Sequence, residues 1–182
     1  LYSWNRSSGK VRRIFSTSDW LSGCKMTDQR AICYLETPIK PRRIISIGLN
    51  QGALTILYNP NPDFDKIRLG EVERLEWTNV NGVGTWGYLI KPRDYQSGKR
   101  YPLVIVQYRP KLCLRGGVGD EYPTHLFSAQ GFAVLCFNQP ENYDIFAQSK
   151  DTYDAWKREW TGNIRQRQIL SSLEAVIELL DK

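Results

Sequence analysis

The 182-residue chain holds one histidine, His125, and one methionine, and its four cysteines (Cys24, Cys33, Cys113 and Cys136) include no closely spaced pair. A zinc site built on paired thiols needs that spacing or more imidazoles, so no metal site is expected. Most of these cysteines sit in or beside apolar strand patterns, where a free thiol acts as a small hydrophobe, and no disulfide framework is expected. Long hydrophobic runs are missing too, which excludes a bilayer-spanning helix. Lysine and arginine number 25 against 19 acids, a formal charge of +6, yet they are scattered in pairs such as Arg12-Arg13, Arg42-Arg43 and Lys99-Arg100. Neither a basic helix face nor a basic-aromatic module is present, so the charge reads as solubility and no nucleic-acid partner is expected.

The chain does have enough apolar residues, 41%, for a real core in one ordinary domain or one and a half small ones. Its organising stretch is 100–137. Leu103-Val104-Ile105-Val106-Gln107-Tyr108 is an apolar run bounded by Pro102 and Pro110, which predicts a strand buried on both faces. A glycine-rich loop follows, then a short helix whose apolar side is Leu126, Phe127 and Ala129. Gly131 stops that helix, and Phe132-Ala133-Val134-Leu135-Cys136-Phe137 is a second buried strand. Strand, loop, helix and strand open an α/β sheet domain.

Residues 1–58 carry short apolar segments separated by turn formers: 1–4 and 11–15, 23–26 and 31–34, 43–49 and 53–58. A period of about a dozen residues suggests antiparallel units repeated in an array, one four-stranded unit over 21–58 preceded by the last two strands of another. Asn59-Pro60-Asn61-Pro62-Asp63 reads as a linker. A hairpin over 71–90 follows, with Leu75, Trp77, Trp86, Tyr88 and Ile90 as its apolar side, and 138–151 is expected to be polar loop. The segment 154–160 is expected to be helical, with Trp156 and Trp160 in packing and Gly162 a break. The last helix places Ile169, Leu170, Leu173, Val176, Ile177 and Leu180 on one stripe against a sheet.

Three pieces in order carry a resemblance: Gly87-Tyr88-Leu89-Ile90-Lys91-Pro92, Gly98-Lys99-Arg100-Tyr101-Pro102-Leu103-Val104-Ile105-Val106, and Gln130-Gly131-Phe132-Ala133-Val134-Leu135. Together they resemble the propeller-to-hydrolase junction of the prolyl oligopeptidase family of serine peptidases. Gln107-Tyr108-Arg109-Pro110 and the loop from Leu114 to Pro123 are most similar to its lasso peptide isopeptidase branch, which opens the macrolactam ring of threaded bacterial peptides. Leu21-Ser22-Gly23-Cys24 and Asn59-Pro60-Asn61-Pro62 point the same way. The resemblance implies an α/β fold with propeller blades over 1–62 and the first half of an α/β-hydrolase domain over 63–182. It implies a peptide substrate, a threaded lasso peptide in that branch, and a bacterial protein of the cytoplasm or periplasm. A dipeptidyl or acylaminoacyl peptidase and a non-catalytic β-rich binding protein are the alternatives.

Family members raise their nucleophile on a Gly-x-Ser-x-Gly elbow, and this chain has none. The expectation is a piece of an enzyme that stops before its triad, since Ser171 and Ser172 lie in helical pattern and His125 sits on the early helix. Tyr108 matches the family tyrosine that donates its hydroxyl to the oxyanion. A rigid donor at a strand end suits that chemistry, and a tyrosine capping a buried strand suits the residue equally. Arg109 departs from the small residue of many relatives. In the loop 115–122, Arg115, Asp120 and Glu121 either offer charges to a peptide or pair with one another. The loop has no Gly-Lys-Ser/Thr ending, so it is no phosphate cradle.

Overall fold

The computed structural model describes residues 1–107, 112–114 and 122–181, folded as mixed β-sheets with few helices. The chain divides into two compact units, the first made of Leu1–Leu69 with 112–114, the second of the remaining described residues from Gly70 onward. In the first, β1 (Tyr2–Trp4) and β2 (Val11–Arg13) form an antiparallel pair. β3 (Trp20–Met26), β4 (Arg30–Thr37), β5 (Lys40–Gly48) and β6 (Leu54–Tyr58) follow as an antiparallel sheet in sequence order. Strict alternation along β4 sends Ala31, Cys33 and Leu35 inward, where they meet Ile45 and Ile47 and the half-buried Leu1, Ile14 and Phe15. Burying Leu35, Ile45 or Ile47 contributes about 1.5–3 kcal/mol each. The turn between β5 and β6 depends on Gly52, whose φ is +69° and whose missing Cβ leaves room for the Ile14 carbonyl.

The second unit is built on a four-stranded sheet. β7 (Val72–Thr78) and β8 (Gly84–Ile90) are its hairpin, β9 (Leu103–Val106) and β10 (Ala133–Asn138) complete it, and the order is β7-β8-β10-β9. β9 and β10 run parallel, Val104 opposite Val134 and Val106 opposite Cys136, joined through α1 (Thr124–Ala129). Parallel pairing requires such a crossover, since a tight turn can only reverse the chain. Then come α2 (Tyr143–Ala147), α3 (Thr152–Trp160) and α4 (Ile164–Leu180). α4 lays Val176 against Trp77, Leu135 and Phe137, with Ile169, Leu173 and Leu180 at the margin.

Several expectations are corrected. β10 is buried on both faces, but β9 is only half-buried over its first three residues, because it is the edge of the sheet. The hairpin has no single apolar side: Leu75 and Trp77 face α4, whereas Trp86 and Tyr88 register with Glu76 and Arg74 on the other face, where the Arg74 guanidinium stacks 4.3 Å above the Trp86 ring. On α4, Leu170 and Ile177 are exposed, since neighbours in a helix point about 100° apart and one sheet cannot cover both members of 169/170 and 176/177. Leu126 is likewise exposed on α1, which buries Thr124 and Ser128 instead. The polar segment 138–151 contains α2. Trp156 and Trp160 stand out in solvent. No cysteine is free: Cys24 is bonded to Cys33, and Cys113 and Cys136 are in disulfide linkage as well. Among the described residues no helix is long and apolar enough to cross a membrane.

Candidate functional site

In an α/β sheet, ligands collect outside the carboxyl ends of parallel strands. Here those ends are Val106 of β9 and Asn138 of β10. All four residues expected to act on substrate, Tyr108, Arg115, Asp120 and Glu121, lie outside the described residues. The described residues at the end of β10 form a frame of their own.

That frame is anchored at β10. The Thr85 hydroxyl of β8 donates to the Asn138 carbonyl at 2.5 Å, closing the end of the sheet. Beside it opens a cavity of about 400 Å³, lined by Trp77, Trp86, Pro140, Glu141 and Tyr143 among others. A hydrogen bond to Glu141, then its negative charge and then burial push the Tyr143 phenol above its ordinary value, so it stays a neutral hydroxyl at the cavity rim.

Past β10, the chain is held by a buried polar network. Glu159 of α3 is 1% exposed; its Oε1 accepts from Asn142 Nδ2 at 2.9 Å and its Oε2 from Arg165 Nη1 at 3.2 Å. Arg165 Nη2 donates in turn to Gln139 Oε1 at 2.9 Å. The segment leaving β10, α3 and the start of α4 are thereby tied at one carboxylate. A buried charge is tolerated when every lone pair finds a donor, and losing one partner would strand the other. Sequence reasoning missed this group, because Glu159 and Arg165 fall on either side of the Gly162 break and share no helical period; the only hint was an acid between apolar positions in a short helix.

The two serines of α4 are both buried. Ser172 Oγ accepts from Asn79 Nδ2 at 3.1 Å and its carbonyl from Trp77 Nε1 at 2.8 Å, so it serves the packing of α4 on the β7–β8 hairpin. His125 is half-buried on α1. No group of three or more potential metal ligands occurs among the described residues.

No family model matches the chain. Along its whole length it is 41% identical to the lasso peptide isopeptidase AtxE2 of Asticcacaulis excentricus, of which it covers 26%. Among solved structures it is similar to AtxE2 without ligand at TM-score 0.92 and 39% identity, covering 99% of this chain and 28% of that one. A serine-to-alanine variant of AtxE2 with Astexin3-dC4 bound matches at TM-score 0.91 and 40% identity, with the same coverage of 99% and 28%. An acylaminoacyl peptidase in complex with a chloromethyl ketone shares the fold, at TM-score 0.62 and 20% identity over 98% of this chain and 27% of that one. The chain thus spans 26–28% of the length of these relatives.

Proposed function

We propose that the chain, 41% identical along its whole length to a lasso peptide isopeptidase, belongs to the prolyl oligopeptidase family and is part of a serine isopeptidase opening the macrolactam ring of a threaded peptide. In this reading residues 1–62 are the last blades of a β-propeller and 63–182 the first half of an α/β-hydrolase domain. Tyr108 donates its hydroxyl to the oxyanion of the tetrahedral intermediate, and Arg115, Asp120 and Glu121 line the substrate cleft. The bond broken is an amide, by an acyl-enzyme route with no metal or organic cofactor.

The observation that carries the reading is the 41% identity to AtxE2 over the whole chain. The parallel pairing of β9 and β10 agrees with the reading, and in the sequence Tyr108 comes two residues after Val106, the last residue of β9. The disulfide linkage of all four cysteines favours an oxidising compartment, the periplasm over the cytoplasm.

The test uses the full-length natural protein, incubated with a threaded peptide and with its linear counterpart and followed by mass spectrometry. Ring opening, the gain of one water by the threaded peptide alone, is the expected result; cleavage of only the linear peptide would make the protein a peptidase of the dipeptidyl or acylaminoacyl kind. Tyr108→Phe should lower kcat about 100- to 1000-fold with KM little changed.

A further inference from the structure

α3 turns three aromatic rings to solvent. Tyr153, Trp156 and Trp160, spaced by three and four residues and so on one face of the helix, are 76%, 53% and 64% exposed. With Ile169 of α4 they line a groove of about 720 Å³. Single exposed apolar residues are ordinary, whereas a contiguous patch of large ones marks a place where something binds. The volume is that of a site for a few side chains or a small ligand.

Charge narrows the occupant. Two charged residues line the groove, Lys157 and Arg165, and both are cations. Arg165 is pre-oriented: its Nη1 is bonded to Glu159, itself 1% exposed, and its Nη2 to Gln139. A guanidinium fixed in this way, with each Nη already making one bond, loses little rotamer freedom when its remaining N–H groups meet an anion. Aromatic faces beside such cations suit a bulky apolar or aromatic side chain.

We propose that the groove between α3 and α4 is a substrate-positioning subsite, taking a peptide segment that carries a carboxylate next to a bulky side chain. The rings of Trp156 and Trp160 hold the side chain, and Arg165 and Lys157 hold the carboxylate. This rests on the isopeptidase reading and adds to it a docking point away from the scissile bond. It acts on binding, so its signature is in KM.

In the full-length natural protein, Trp156→Ala combined with Trp160→Ala is expected to raise KM for the threaded peptide about tenfold and to leave kcat within about twofold. Converting the peptide's carboxylates to amides should raise KM for the unmodified protein similarly, and Lys157→Gln should then add nothing further, as two changes to one contact do. A KM within about twofold in the double tryptophan variant overturns the proposal. So does a lower unfolding temperature at unchanged KM, which would mean that the groove is filled by the protein itself. Should the protein open no threaded peptide at all, the isopeptidase reading falls by itself, and the groove is decided by tryptophan fluorescence on adding the linear peptide. Saturable quenching that is lost in the amidated peptide upholds the subsite, and its absence rejects it.

Discussion

At Asn79 one carboxamide does two jobs. Its Oδ1 accepts from the amides of Asn81 and Val83, both at 3.0 Å, which closes the β7–β8 turn. Its Nδ2 donates to Gln168 Oε1 at 2.8 Å and Ser172 Oγ at 3.1 Å, which docks that turn on α4. The side chain is buried, so each lost bond leaves a partner short of water as well as of protein. Asn79→Ala should therefore cost roughly 2–4 kcal/mol in urea unfolding. Asn79→Asp keeps both turn bonds but sets a buried carboxylate oxygen against Gln168 Oε1 in place of the donor, and should cost at least as much at neutral pH. The turn was legible in the sequence, since Asn79-Val80-Asn81-Gly82 is turn chemistry. The docking was not, because nothing in that tetrapeptide names a helix about ninety residues downstream.

At the scale of elements, the β3–β4 hairpin shows what spacing conceals. Its register shifts between Ser22 and Lys25, and the bulge brings Cys24 across from Cys33, their Cα atoms 4.1 Å apart. Nine residues of separation in sequence are equally compatible with two unconnected thiols, and a one-residue change of register would have sent the two side chains to opposite faces. Replacing Cys24 and Cys33 together by serine should lower stability by about 2–3 kcal/mol, the loop-closure estimate for a ring of this size. Thiol titration of the native protein should find no reactive cysteine before reduction, and titration of four at once would refute the oxidised state. α3 and α4 carry a related lesson. Their apolar periodicity was visible, but which half of it meets the sheet and which half lines the groove with Trp156 and Trp160 depends on what lies alongside.

For the whole molecule, the question is what these 182 residues can do by themselves. They contain no Gly-x-Ser-x-Gly, and Ser171 and Ser172 are buried in α4. A fluorophosphonate probe should accordingly leave this chain unlabelled while labelling the full-length natural protein; labelling of the chain would reveal a nucleophile outside the family pattern. Local patterning in the sequence was sufficient for nearly every strand and for the β9–α1–β10 crossover, because backbone periodicity and turn chemistry act over a few residues, while the resemblance to a lasso peptide isopeptidase was carried by short motifs. Only the tertiary structure decided that β9 is an edge, that Trp77 and Trp86 look in opposite directions, that Cys24 meets Cys33, and that Glu159 gathers Asn142 and Arg165. Each of those outcomes depends on a partner brought near by the closing of a loop, and a local pattern carries no record of which partner that will be.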